Sequence, residues 1–165
     1  DHYDPEARAV RLSPSHYDGR SLTAVTVAAH EVGHALQDRD RDPRLRARQA
    51  TVKWAMRVQR IGIAIMYVLP VVTAFAVSPR LALLTVFAGL LVMGIRVLAD
   101  LVTLPVEFDA SFGRALPVLE QGGYLPAADM PEARKILKAC AMTYVAASAI
   151  SLIDVFRWYR ILRGG

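Results

Sequence analysis

Apolar positions in this chain of 165 residues gather into blocks. Ile61 to Val77 runs without a charge, and so does Leu81 to Ile95, with only Ser78-Pro79-Arg80 between them. A membrane-spanning helix needs about 17–25 mostly apolar residues, and a Ser-Pro-Arg break suits a tight turn. The pattern therefore predicts a two-span helical hairpin over 61–104, with the Arg96 stem in lipid and its head at the boundary. A buried hairpin in a soluble core is the alternative, but so small a chain can hardly wrap so many apolar residues. A third stretch, Ala139 to Ile153, is rich in Ala and Ser and precedes Asp154. Small residues at helix spacing suit close packing, so a C-terminal apolar helix is expected over 139–163, and whether it spans is left open.

Ahead of these blocks the pattern changes. Ala9-Val10-Arg11-Leu12 reads as a short strand, paired with the residues near His2-Tyr3, and Pro5, Pro14 and Asp18-Gly19 punctuate this lead-in over 1–20. Ser21 is placed as the N-cap of a helix over 22–37. That helix is apolar nearly all round (Leu22, Ala24, Val25, Val27, Ala28, Ala29, Val32, Ala35, Leu36), which marks it as buried.

Charge adds an orientation. The chain carries 20 Lys+Arg against 15 Asp+Glu, a net charge of +5, with 54% hydrophobic and 21% charged residues, which excludes a disordered chain. Eight basic residues fall between Arg39 and Arg60: Arg39, Arg41, Arg44, Arg46, Arg48, Lys53, Arg57 and Arg60. The inter-span turn offers only Arg80, and Arg96, Arg114, Arg134, Lys135 and Lys138 follow the second run. Basic residues accumulate on the cytoplasmic side, so the hairpin enters from and returns to the cytoplasm, and 39–60 reads as a basic cytoplasmic segment. Arg157, Arg160 and Arg163 place the tail there too, in conflict with a full third span. A basic segment beside an apolar run points to anionic lipid headgroups as partners, rather than nucleic acid. The single cysteine, Cys140, closes no intrachain disulfide. The chain begins at Asp1 without a Met or a signal segment and reads as a fragment or processed product with its upstream anchor missing.

Chemistry enters inside the buried helix, at His30-Glu31-Val32-Gly33-His34. Histidines four apart share one helical face, so both imidazoles can reach one metal ion. Zinc accepts nitrogen donors and keeps a position open in catalytic sites. Glu31 points beside the ion, where it can take a proton from a water that the metal has acidified and deliver it to the leaving amine. Two His and a Glu in an apolar helix must in any case be liganded, paired or hydrogen-bonded. Gly33 in mid-helix costs about 1 kcal/mol against Ala; close approach of a neighbouring element or simple tolerance would each account for it. The third ligand is sought among His2, His16, Asp100, Glu107, Asp109 and Asp154. A hairpin that leaves and returns brings the chain back to the motif's side just before Glu107, which follows Pro105 and suits the first turn of a new or kinked helix. Glu107 is favoured as ligand. Asp109 is a candidate partner for the far nitrogen of a ligand imidazole, and Asp100 a helix-face ion-pair partner of Arg96. Tyr144 and Arg114 are candidate oxyanion donors.

Several of these segments resemble one family. The motif with Ala35, the hairpin, and Leu104-Pro105-Val106-Glu107-Phe108-Asp109-Ala110-Ser111 resemble the YugP-type neutral zinc metallopeptidases. So do Asp1-His2-Tyr3-Asp4-Pro5, Val10-Arg11-Leu12-Ser13-Pro14 and Tyr17-Asp18-Gly19-Arg20-Ser21-Leu22. The similarity covers nearly the whole chain, and the family normally carries an N-terminal membrane anchor further upstream. The layout is also similar to the HtpX-like and CAAX prenyl proteases, which place two spans between His-Glu-x-x-His and a Glu-x-x-Ala-Asp motif. The resemblance implies that His30, His34 and Glu107 are ligands of one Zn2+ and that Glu31 is the catalytic acid/base. The match departs at Ser111, which stands where those relatives have Asp, and Asp109 is the available substitute.

The expected fold is mainly α: an integral-membrane helical metallopeptidase with a short N-terminal β-hairpin packed on the zinc helix (21–38), and a Glu-ligand helix and loop over 105–138, all in one domain. The expected activity is a zinc-dependent membrane endopeptidase acting on peptide or protein substrates at the cytoplasmic face. The alternative is a catalytically silent metal-binding scaffold.

Overall fold

The computed structural model describes residues 1–74 and 79–162. The fold is mainly α with one N-terminal hairpin. Strands β1 (His2–Asp4) and β2 (Ala9–Arg11) pair antiparallel, with Tyr3 opposite Val10, where the sequence places a short strand at 9–12 paired with the residues near His2-Tyr3. Helices follow as α1 (Pro14–Tyr17), α2 (Leu22–Arg39), α3 (Pro43–Ala74), α4 (Pro79–Phe108), α5 (Leu116–Gly122) and α6 (Met130–Leu162). A π-helical turn, Asp109–Ala115, joins α4 to α5, and a short 3-10 turn, Ala127–Asp129, precedes α6.

The chain divides into two compact units. The first comprises Asp1–Ala47 and Thr103–Tyr144. Its α2 starts at Ser21, whose hydroxyl accepts a hydrogen bond from the Ala24 N–H at 3.1 Å, satisfying one of the helix's orphan donors. The helix buries Ala24, Thr26, Ala29, His30, Glu31, Gly33, His34 and Gln37. Around it, Ala29, Ala115, Leu116, Leu119, Ala133 and Leu137 form a core of α2, α5 and the first turns of α6. Half of that core is alanine, so the backbones can lie close together. The β-hairpin is tied to α2 by the Tyr3 hydroxyl, which donates to Asp38 at 2.9 Å.

The link from α2 to α3 is tight. Arg41 takes a left-handed conformation (φ 56°), and the Asp42 N–H bonds to the Gln37 carbonyl at 2.9 Å. Asp42 then accepts from the Arg44 N–H at 2.8 Å, with Pro43 as the first residue of α3. The basic stretch expected as a separate segment over 39–60 is therefore mostly helix, continuous with the apolar run after it. Its Arg, Lys, Ala and Gln are good helix formers, and no Gly or Pro interrupts residues 44–60.

The second unit comprises Arg48–Val102 and the chain from Val145 onward. Here α3 and α4 run antiparallel. Gly62 lies against Val92, where a Cβ would come within 2.2 Å of the valine methyl. Ala50, Thr51 and Trp54 face Ile95 and Leu98 across a shallow hollow. The helical hairpin of the sequence reading is thus present, while its turn at Ser78 and the preceding residues 75–77 lie outside the described residues. Many large apolar side chains in this unit are exposed, among them Trp54, Ile61, Phe87, Leu98, Ile153 and Phe156. Among the described residues, no helix is long and apolar enough to cross a membrane. The C-terminal helix begins at Met130, well before the Ala139 expected from hydropathy, because Glu132, Arg134, Lys135 and Lys138 continue the same helical pattern on a polar face.

Candidate metal centre

Two elements of the first unit build the site. On α2, His30 and His34 stack edge to face with ring centroids 4.9 Å apart, as their four-residue spacing requires. Glu107 comes from the last turn of α4. Pro105 lies inside that helix, so of the new or kinked helix expected there, no new helix starts and α4 continues through the proline. One Glu107 oxygen, Oε2, is 3.2 Å from His30 Nε2 and 3.3 Å from His34 Nε2. The three donor atoms all lie within 4.8 Å of one another, and all three side chains are buried.

The π turn makes this approach possible. It carries Ala110 against α2 so closely that a Cβ on Gly33 would lie 2.3 Å from the Ala110 carbonyl oxygen. Of the two explanations for Gly33, close approach is the one that holds. The same turn buries Ser111, whose hydroxyl is 3.0 Å from His30 Nδ1. The far nitrogen of the other histidine, His34 Nδ1, is 2.9 Å from Gln37 Oε1. Gln37 Nε2 in turn donates to the Val106 carbonyl at 2.8 Å and to Asp109 Oδ2 at 2.9 Å. Both imidazoles are therefore held by Nδ1 and turn Nε2 toward Glu107.

These distances test whether zinc fits. Donors about 2.0–2.1 Å from a tetrahedral zinc stand about 3.3–3.4 Å apart. The carboxylate oxygen meets that spacing to both imidazoles, and two nitrogens with one oxygen form the donor set of a catalytic zinc site with a position left open. Glu31, also buried at 7% exposed, is the neighbour of this trio and not one of its three converging donors.

The remaining sequence candidates are distributed as follows. Asp109 does not touch an imidazole; it reaches His34 only through Gln37, and also accepts from Arg114 Nε at 3.0 Å and Arg44 Nη2 at 3.3 Å. Arg114 is engaged by Asp40 and Asp109. Tyr144 sits half-buried in α6. His16 Nδ1 pairs with Asp1 at 2.6 Å, and His2 is exposed on β1. Asp100 belongs to the second unit, and the Asp154 side chain lies outside the described residues. Gln37 is the residue sequence reasoning passed over. Its signal was a polar side chain three positions after His34 and seven after His30, on the same helical face.

A charged collar surrounds Asp109. Hydrogen bonds from Arg39 and Arg114 hold the Asp40 carboxyl down to about 2, against an ordinary 3.8. Burial pushes the carboxyls of Asp42 and Asp109 up. Hydrogen bonds from Arg44 to Asp42, and from Gln37 and Arg114 to Asp109, outweigh burial and leave both below 3.8. Because the folded carboxyls titrate lower than the unfolded ones, the collar stabilises the fold above about pH 4 and ceases to do so as pH falls toward about 2. Thermal melts of the chelated protein are expected to show a falling midpoint across that window, and Asp40→Asn should flatten the fall. An equal slope in the variant would remove Asp40 from the collar.

Comparison with known proteins agrees with this chemistry. Residues 1–163 match the family described as "Putative neutral zinc metallopeptidase". Over 174 aligned residues the chain is 36% identical to "Putative membrane protease YugP" of Bacillus subtilis (strain 168), an alignment that covers all of this chain and 69% of that protein. No solved structure matches. With a family match over nearly every residue, and the His-His-Glu donor set assembled in one unit, the chain belongs to the neutral zinc metallopeptidase family.

Proposed function

We propose that this chain is the catalytic part of a zinc-dependent endopeptidase that works at a membrane, on the cytoplasmic face, with His30, His34 and Glu107 as the metal ligands and Glu31 as general base and acid. The observation that carries the reading is the single Glu107 oxygen lying 3.2 and 3.3 Å from the two imidazole Nε2 atoms in a buried site. Bound zinc supplies a positive charge that acidifies water and polarises a peptide carbonyl. Glu31 takes the proton released as water attacks and passes it to the departing amine. The β-hairpin offers backbone edges along which an extended peptide can hydrogen-bond. Membrane association is supported by the uncharged runs at 61–77 and 81–95, the basic residues beside them and the name of the Bacillus relative.

Metal analysis tests the core of this reading. The full chain is expected to carry one zinc, to cleave an unfolded protein, to lose both metal and cleavage with a chelator, and to regain cleavage when zinc is returned. One zinc per chain with no cleavage would favour the silent scaffold; no zinc at all would dispose of the site. Flotation with vesicles containing anionic lipid tests the membrane part separately, and failure to float would refute it.

A further inference from the structure

We infer that Gln37 is the positioning residue of the metal site: its amide fixes His34 in the tautomer that carries hydrogen on Nδ1 and leaves the Nε2 lone pair facing Glu107. The inference rests on the zinc reading above for its purpose, but its geometry stands alone. A glutamine amide has one end that donates and one that accepts. Gln37 Nε2 faces two groups that can only accept, the Val106 carbonyl at 2.8 Å and the Asp109 carboxylate at 2.9 Å. Turning the amide over would set Oε1 against both of them. The donating end is therefore committed to those partners, and Oε1 is left for His34 Nδ1 at 2.9 Å. An acceptor there requires a hydrogen on Nδ1, so in the neutral imidazole Nε2 has a lone pair. Two observations reinforce the lock. Gln37 has no exposed surface, so water does not compete for its amide. Asp109 is itself clamped by Arg114 at 3.0 Å and Arg44 at 3.3 Å, and Arg114 is in turn anchored by Asp40, so the acceptor that orients Gln37 is held by two guanidinium groups.

In zinc sites, a carboxylate, a backbone carbonyl or a water usually accepts from the far nitrogen of a ligand imidazole. In this chain an amide does so, with the carboxylate one step behind it. The arrangement keeps the Asp109 charge one group removed from His34 Nδ1 while Asp109 still dictates which way the amide points.

The test uses the full chain in detergent, with 15N-labelled histidine and metal removed, about two units above the ordinary imidazole value of ~6.5. The His34 signals, identified by their loss in His34→Gln, are expected to report hydrogen on Nδ1. Gln37→Leu, similar in volume, should shift His34 toward hydrogen on Nε2 and weaken zinc binding by about 10–100-fold in titrations. A wild-type His34 with its hydrogen on Nε2 overturns the inference even if the variant fails to fold. So does a folded Gln37→Leu that keeps the wild-type tautomer or the wild-type zinc affinity. Wild-type protein that shows the Nδ1–H form and loses it in Gln37→Leu, yet never binds zinc, would uphold the tautomer lock and sink the zinc reading, so the two fail separately.

Discussion

Glu31→Gln is expected to keep its zinc and lose about 10²–10⁴-fold in kcat/KM on an unfolded protein substrate, the contribution typical of a positioned general acid and base. That loss corresponds to about 2.7–5.5 kcal/mol of transition-state stabilisation. The substitution preserves shape and polarity at a position only 7% exposed, so the packing of α2 should survive it. It removes the one property the reaction needs there, an oxygen that can accept and return a proton. The converging donors come from His30, His34 and Glu107, so metal content should stay at the wild-type level. Metal analysis and kinetics on the same preparation separate the alternatives. Equal turnover would take Glu31 out of the mechanism, and loss of zinc would mean that Glu31 holds the metal or the fold.

Gly33→Ala sets two effects of opposite sign against each other. Helix propensity alone would make alanine the better residue by about 1 kcal/mol. The structure places the new methyl carbon 2.3 Å from the Ala110 carbonyl oxygen and 3.0 Å from its carbon. These are backbone atoms and cannot swing aside as a side-chain tip would. Overpacking of this kind costs about 1–3 kcal/mol, or more where nothing yields, so the clash should win. Relief requires α2 and the π turn to separate. Ala110 lies three residues after Glu107 and beside Ser111, so separation pulls both away from the histidines. The expected result is a lower melting temperature for the metal-free protein together with zinc affinity reduced by at least tenfold. A variant that melts higher and binds zinc as well as the parent would show that propensity governs this position and that the close approach is absent in solution.

Much of this was legible in the sequence, for reasons that differ by residue. The helix carrying His30 and His34 announced itself through Ser21, a ready cap, and through a largely apolar run in which His30, Glu31 and His34 stand out. The β-hairpin followed from the short stretch Ala9-Val10-Arg11-Leu12 set between Pro5 and Pro14. Glu107 could be reached by topology, since an out-and-back hairpin must return near its start. What stayed hidden depends on backbone geometry that no side-chain pattern encodes. Phe108 to Leu116 reads as ordinary helix, and nothing in Asp109-Ala110-Ser111-Phe112-Gly113 by itself signals a wider turn. Hence Ser111 was legible only as a departure from a motif, not as the partner of His30 Nδ1. Gln37 was overlooked because a glutamine near a helix end is ordinarily solvated, and only the carbonyl of Val106 and the carboxylate of Asp109, some seventy positions later, give it a task. The secondary structure of the basic segment was not legible for a simpler reason: arginine and lysine favour helix but sit as readily in solvated chain, and α3 takes in most of 39–60.

The wide turn at 109–115 also has a bearing on how such a chain can change over generations. In a regular α-helix each residue advances the face by about 100°, so a continuous rod from Glu107 through Leu119 would bind its ligand phase to its packing phase. One surplus residue in the coil slips that phase. Glu107 and Ser111 can be set by the histidines they face, while Leu116 and Leu119 are set by the interior beyond them. Mutations that repack the interior can then accumulate without re-aiming the carboxylate.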